Sequence, residues 1–175
     1  MDNYQRYSII LKIIEKLGKK ESWCGDTHIQ KTLYFLQEAT NVNTGYRFIL
    51  YKHGLYSFDL SDDLRSMRAD RYLDLEPTPP YGGCYTAEKR GKYLKEYYAD
   101  FINQFEHKIE FVVENIGNLR VVELEKLSTA LYVTIERPRL SVESRANYMN
   151  ELKPHIPVSE ARESILRIDT MLEER

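Results

Sequence analysis

The chain has few of the residues from which catalytic and metal centres are usually built. Among its 175 residues are two cysteines, Cys24 and Cys84, and four histidines. The spacings typical of zinc sites, HExxH, CxxC and His-x3-His, do not occur. The segment Tyr81-Gly82-Gly83-Cys84 lacks the Lys and Ser/Thr of a phosphate-binding loop. We therefore expect a protein that is not an enzyme and that holds no cofactor and no metal.

Long apolar runs are missing as well. No stretch approaches the roughly 18 apolar residues that indicate a membrane-spanning helix, and Lys12, Glu15 and Lys16 interrupt the most apolar segment. No positively charged start followed by an apolar stretch and a small-residue cleavage site indicates a secretory signal. Two separated cysteines in such a chain predict reduced thiols. The sequence predicts a cytoplasmic protein without a membrane segment.

The isolated candidates for chemistry have simpler interpretations. His28 and His53 stand beside a predicted helix start and a predicted turn, where a histidine is more often solvated or capping than catalytic. Cys24 follows Trp23 just before a helix start, a position that can lower the pKa of a thiol. No orienting partner for that thiol can be read from the sequence, so a buried or incidental cysteine is the favoured interpretation.

Charge of one sign is also lacking, because 25 basic residues face 27 acidic ones. A nucleic-acid-binding domain typically has a strongly basic face, which the overall composition does not indicate. A hydrophobic content of 42% is sufficient for a folded core. Tyrosine is abundant instead, with 14 Tyr against 6 Phe. Tyrosine suits half-buried surfaces and interfaces, although it also serves at the edge of a core.

Hydrophobic periodicity predicts a mostly helical chain with two hairpins. Helices are predicted over 7–17, from Asp26 or Thr27 to about 39, from Asp59 or Ser61 onward, over 87–115 after a Thr86 cap, over 121–136, over 141–152 and from about 159. Alternating residues predict one strand over 46–51 with a turn at Gly54, and a second hairpin around Pro79-Pro80 and Gly82-Gly83. The predicted class is α+β, mostly α. A winged-helix-like part over 1–86 and a helical part over 87–175 are expected to form one structural unit.

Two short motifs carry a resemblance to a known family. The first motif, a helix of the pattern QK-x-x-Y-x-x-Q, has Gln30, Lys31, Tyr34 and Gln37. The second motif, an aromatic turn, has Tyr51, Lys52, Gly54, Tyr56 and Ser57. Together they resemble the YwgA-like proteins and the SocA-like antitoxin (Panacea) domains, which are often phage-associated. His53 and Leu55 depart from the commoner Tyr-Gly-Pro form of the turn.

The resemblance implies a winged-helix-like fold and a role without catalysis. Family members resemble antitoxins that neutralise a toxin by binding it, adaptors that present a toxin for proteolysis, and domains attached to macrodomains that remove ADP-ribose. It implies a protein partner, such as a toxin, for this chain.

The motif residues also have a structural interpretation. A turn that needs a positive φ explains Gly54, and Gln30 and Gln37 lie on one helical face from which they can bridge to the hairpin. We expect the following motif residues to be structural: Gln30, Lys31, Tyr34, Gln37, Gly54 and Ser57.

An excess of acidic residues follows the aromatic turn, since six acids face three arginines between positions 59 and 76. The neighbours Asp62 and Asp63 point to different helix faces, which disfavours a metal site. A solvated helix face and a partner-facing surface both remain open, the second because clustered carboxylates resemble a phosphate backbone to a basic protein. The predicted partner contacts are Tyr51, Tyr56, Asp59, Asp62 and Asp63.

A winged-helix regulator that binds DNA is the alternative. Such proteins place a helix in the major groove, and the predicted second helix offers Gln30, Lys31 and Gln37 to the bases. Basic residues are scattered over 16–20, 89–95 and 137–139. This alternative predicts salt-dependent duplex binding that is lost when Lys31 and Lys92 are changed.

Overall fold

The computed structural model describes residues 1–20, 23–78 and 82–175. Within these ranges the chain forms nine helices and two separate two-stranded antiparallel sheets. The helices are α1 (Asn3–Lys19), α2 (Asp26–Thr40), α3 (Phe58–Ala69), α4 (Lys89–Tyr97), α5 (Ala99–Asn103), α6 (Glu106–Ile116), α7 (Val121–Glu136), α8 (Val142–Leu152) and α9 (Val158–Glu173). The strands are β1 (Ile49–Tyr51), β2 (Gly54–Tyr56), β3 (Leu73–Pro77) and β4 (Gly83–Ala87). The predicted class, α+β and mostly α, is confirmed.

Helices α1 and α2 lie at the centre of the fold. A capping box starts α1: the Asp2 side chain accepts from the Gln5 amide, and the Gln5 side chain accepts from the Asp2 amide. Both helices bury large apolar side chains on several sides, because α4, α5 and α6 pack on α1 while α6 and α7 pack on α2. The N-cap of α2 is Gly25, which has no side-chain cap. The expectation that Asp26 or Thr27 caps this helix is therefore wrong, since both lie inside its first turn.

The first hairpin is shorter than the alternating pattern predicts. Strands β1 and β2 pair with Ile49 opposite Tyr56 and Tyr51 opposite Gly54. Tyr46, the first residue of the predicted strand, lies before β1. Its ring is buried in the core and its hydroxyl donates to Asp63 Oδ2 at 2.7 Å.

The start of α3 also differs from the prediction. Ser57 caps the helix, since its hydroxyl accepts from the Leu60 amide at 3.3 Å. The predicted caps, Asp59 and Ser61, both lie inside the helix.

The second hairpin is confirmed. Strands β3 and β4 pair with Leu73 opposite Ala87 and Pro77 opposite Gly83. The turn predicted at Pro79-Pro80 lies outside the described residues. The hairpin contacts α1, α2 and α3, so it closes one end of the N-terminal helices.

The single long helix predicted over 87–115 is wrong, because three helices, α4, α5 and α6, occupy this span. The chain leaves helical geometry at Tyr98 (φ −97°, ψ 20°) and Phe105 (φ −116°, ψ 2°). A straight helix of this span would be about 40 Å long, whereas α1 extends only about 25 Å. The two bends let all three helices pack on α1, with Phe101 stacked edge-on against Tyr98 and Phe105. Glu88, not Thr86, is the N-cap of α4, and Thr86 belongs to β4.

The C-terminal helices follow the prediction closely. Helix α7 spans the predicted range, and Ser141 caps α8 with its side chain. Helix α9 packs on α7 and α8, and the Arg145 guanidinium joins it to α8 through two hydrogen bonds to Asp169, of 2.7 and 2.6 Å. Of the helices in the described ranges, none is long and apolar enough to cross a bilayer.

Candidate protein-binding site

The hairpin β1–β2 is fixed from behind by polar side chains of α2. Gln30 Nε2 donates to the Ser57 carbonyl at 2.9 Å, and Gln30 Oε1 accepts from the Ser57 amide at 2.8 Å. Lys31 Nζ donates to the Leu55 carbonyl at 2.7 Å. Gln30 and Lys31 are only 1% and 2% exposed, so both side chains face the protein interior and are not available to a DNA groove.

The other two helix residues of the motif also support the segment around the hairpin. Gln37 Nε2 donates to the Tyr46 carbonyl at 3.1 Å, and its Oε1 accepts from the Thr44 hydroxyl at 2.5 Å. The Tyr34 ring packs edge-on against Phe48, with 5.3 Å between ring centroids. Burial raises the pKa of Tyr34 well above its ordinary value, so its hydroxyl stays protonated. Every motif residue on α2 therefore points toward the chain between Thr44 and Ser57.

A buried charged cluster holds the other side of the hairpin. Lys153, which follows α8, donates from Nζ to the Tyr51 and Lys52 carbonyls, each at 2.6 Å. The same Nζ lies 3.2 Å from Glu125 Oε1 of α7. Burial lowers the pKa of Lys31 to about 8. The Glu125 carboxylate favours the charged form of Lys31, whereas the charge of Lys153 disfavours it. Two lysines thus bind three carbonyl oxygens of one hairpin, with one carboxylate between them.

Gly54 lets the hairpin lie directly against the helices. Its φ is +85°, which a glycine adopts without strain. A Cβ at this position would lie 2.7 Å from Ser128 Oγ and 3.3 Å from Lys31 Cε. Any larger residue would push the turn away from α7 and α2.

Three aromatic side chains cover the outer side of the same hairpin. The ring centroids of Tyr51, Tyr56 and Phe58 are separated by 5.8 Å (Tyr51–Tyr56), 5.7 Å (Tyr51–Phe58) and 5.1 Å (Tyr56–Phe58). Phe58 is 53% exposed and Tyr51 46% exposed. We refer to these three residues as the aromatic cluster. Phe58 is not among the contact residues predicted from the sequence, although its place directly after the cap residue Ser57, as a third aromatic after Tyr51 and Tyr56, is a signal that could have identified it.

The predicted acidic contacts separate into two groups. Asp59 and Asp62 are exposed on the first turns of α3, and Asp62 lies one turn beyond Phe58 on the same helix face. Asp63 instead accepts from the Tyr46 hydroxyl at 2.7 Å and forms an ion pair with Arg6 Nε at 3.4 Å. Its carboxylate serves to join α3 to α1, whereas Asp59 and Asp62 stand beside the aromatic cluster.

A cavity of about 230 Å³ opens beside the aromatic cluster. The first turns of α2 form one wall and the hairpin forms the other. The lining residues are Asp26, Thr27, Gln30, Lys31, Tyr51, His53, Gly54 and Tyr56. The Asp26 carboxylate at its rim accepts from the Tyr85 hydroxyl at 2.8 Å. The site thus combines two features: a cavity of the size that one side chain of a partner fills, and the exposed aromatic cluster beside it.

Of the two histidine candidates for chemistry, His53 lines the cavity beside the aromatic cluster. His28 is buried, its Nε2 contacts the Leu119 carbonyl at 3.0 Å, and burial lowers its pKa. In the part of the chain that the structure describes, no three His, Cys, Asp or Glu side chains come together as metal ligands.

Comparison with known proteins leaves the site to be interpreted from its geometry. No protein-family model matches the chain. A search of curated proteins gives no match either.

Proposed function

We propose that this protein is a non-enzymatic binding module, of the antitoxin or adaptor kind, that holds a partner protein against the hairpin β1–β2. The observation that carries the proposal is the aromatic cluster, in which three rings contact one another in half-exposed positions. Contiguous exposed apolar surface is typical of interaction sites, and Tyr and other aromatic residues are enriched at the centre of interfaces.

The rigid support behind the cluster favours tight binding. The side chains of Gln30, Lys31 and Lys153 fix the hairpin backbone before any partner arrives. Binding then requires little further ordering of the chain, and this lowers the entropic cost of association.

The charges around the cluster favour a basic partner. Asp59 is exposed beside Phe58, Asp62 is exposed in an ion pair with Arg65, and Asp26 stands at the rim of the cavity. Complementary charge steers association and selects among partners. A toxin that acts on nucleic acid presents a basic surface of this kind, and this is the partner class that we propose.

A second candidate function is DNA binding by a winged-helix-like arrangement of residues 1–86. Arg65, Arg68 and Arg71 are exposed on α3 and on the turn that leads to the second hairpin. Arg90 donates to the Asp70 carbonyl at 2.9 Å, which brings the start of α4 to the same place. A helix followed by a hairpin with basic residues is the arrangement that a winged helix uses on duplex DNA. In this version α3, rather than α2, contacts the duplex.

The aromatic cluster is tested with the double variant Tyr51→Ala/Phe58→Ala. The matched control is Tyr93→Ala/Tyr97→Ala, because these two tyrosines of α4 are 58% and 83% exposed and lie outside the cluster. We expect wild-type and control proteins to retain the same stoichiometric basic partner in a native pull-down. The cluster variant should bind that purified partner at least about tenfold more weakly, since central aromatic residues contribute much of the binding energy.

Two results would contradict the partner proposal. One is equal affinity of the cluster variant and the control variant for the recovered partner. The other is a duplex-DNA shift at low salt that Arg65→Ala/Arg68→Ala abolishes, in the absence of any protein partner. The second result would establish the alternative function.

A further inference from the structure

The two cysteines, distant in the sequence, meet in the structure. Both are free thiols, and the Cys84 thiol contributes to the raised pKa of Cys24, which indicates that the two side chains are neighbours. The Cys24 carbonyl accepts from the Tyr85 amide at 2.8 Å. Cys24 and Gly25 therefore lie against β4, although sixty positions separate the two cysteines in the chain. The expectation of reduced thiols is confirmed.

The backbone geometry suits a disulfide at this point. Hydrogen-bonded strands lie about 4.8 Å apart, and disulfides join Cα atoms separated by roughly 4.4 to 6.8 Å. Glycines beside each cysteine permit the close approach, since a Cβ on Gly25 would lie 3.0 Å from the Gly83 carbonyl oxygen. The close approach of the two backbone segments is therefore compatible with a disulfide between Cys24 and Cys84.

The two thiols differ in their access to solvent. Cys24 is 1% exposed, whereas Cys84 is partly exposed. Burial, with a further contribution from the Cys84 thiol, raises the pKa of Cys24. An oxidant in solution therefore reaches Cys84 more readily than Cys24. The raised pKa also makes the Cys24 thiol the less reactive of the two toward the oxidant.

We propose that Cys24 and Cys84 form a reversible intramolecular disulfide when a hydroperoxide reacts at Cys84. In the first step the Cys84 sulfur attacks one peroxide oxygen, the O–O bond breaks, and the thiol proton leaves with the other oxygen as water or an alcohol. In the second step the Cys24 sulfur attacks the Cys84 sulfenic sulfur. The S–O bond breaks, and the Cys24 proton leaves with the hydroxyl group as water. The two thiols are oxidised, the peroxide is reduced, and a dithiol reductant restores both thiols by exchange.

The disulfide would tie the entrance of α2 to the second hairpin. Asp26, two residues after Cys24, and Tyr85, directly after Cys84, already share a hydrogen bond at the cavity rim. Oxidation would therefore cross-link two parts of the fold that are far apart in the chain. This inference does not depend on the proposed partner.

The test treats the full chain with a small excess of hydrogen peroxide at neutral pH. We expect the intact mass to fall by two hydrogen atoms, both thiols to become inaccessible to a maleimide, and digestion to yield a peptide pair joined through Cys24 and Cys84. Dithiothreitol should reverse all three changes. The closed loop should raise the melting temperature by roughly 5 to 10 °C.

Single variants identify the order of reaction. In Cys24→Ala, peroxide should add oxygen at Cys84, because no resolving thiol is present. In Cys84→Ala, Cys24 should stay reduced, because its sulfur is buried. Three wild-type outcomes would overturn the proposal: oxygen added at Cys84 with Cys24 still free, a disulfide only between two chains on a non-reducing gel, or no reaction at either cysteine. These wild-type readouts decide the matter even where Cys24→Ala does not fold.

Discussion

At the residue scale, Gly54 shows how one position sets the placement of the candidate site. Its positive φ and its contact with Ser128 and Lys31 act together. Gly45 offers a matched comparison, because its φ is +80° while nothing lies within 4 Å of a Cβ built there. The two glycines separate the backbone requirement from the packing requirement.

We predict that Gly54→Ala destabilises the fold by about 2–4 kcal/mol, against about 1 kcal/mol for Gly45→Ala. Both variants force a left-handed backbone on an alanine, but only Gly54→Ala also drives a methyl group into α7. Chemical denaturation of both variants and the wild type measures the difference. Equal losses at the two positions would show that the contact with Ser128 does not matter.

The motif residues on α2 show how much of the candidate site the sequence predicts. The motif spacing correctly placed Gln30 and Gln37 on one helical face, from which both reach backbone groups of the hairpin segment. The burial of Lys31 was not predictable, because lysines are almost always exposed unless paired. Its neighbours Glu125 and Lys153 come from distant helices, and no local pattern links them to the hairpin.

At the element scale, the first hairpin owes its position to other elements. A two-stranded hairpin is marginal alone in water, and each strand here has only three residues. Lys153 supplies two carbonyl contacts and an ion pair with Glu125. Lys126, whose Nζ pairs with Glu160 at a more exposed position, is a suitable control.

We predict that Lys153→Met costs about 3 kcal/mol, because it leaves Glu125 buried beside fewer positive charges. Lys126→Met should cost under about 1 kcal/mol. Hydrogen exchange should report faster amide exchange over residues 49–56 in Lys153→Met alone. Unchanged exchange in that hairpin would contradict the anchoring role of Lys153.

Among the helices, hydrophobic periodicity predicts some boundaries correctly and misses others. Periodicity gave α7 and α8 correctly, because each has a continuous apolar face and a clear end. It predicted one helix over 87–115 because the apolar positions continue without interruption across the bends at Tyr98 and Phe105. At those bends the three helices turn to pack on α1, a tertiary contact that a pattern within the local sequence does not show.

At the scale of the whole molecule, the predicted parts 1–86 and 87–175 share one core. Helix α1 packs on α4, α5 and α6, while α2 and β2 pack on α7. Removing the C-terminal half would expose the apolar sides of both central helices. We predict a single cooperative thermal transition for the full chain and no cooperative transition for a 1–86 fragment. Circular dichroism and calorimetry measure both, and a sigmoidal melt of the fragment would show that the N-terminal part folds alone.

The way in which the lysines hold the hairpin has an evolutionary consequence. Lys31 and Lys153 donate hydrogen bonds to backbone carbonyl oxygens of the hairpin. Every amino acid has such a carbonyl, so these contacts do not depend on the hairpin side chains. The exposed side chains of Tyr51, Phe58 and Asp59 are therefore not needed for these hydrogen bonds. Descendants of this chain can exchange these three residues without loss of the contacts that hold the hairpin.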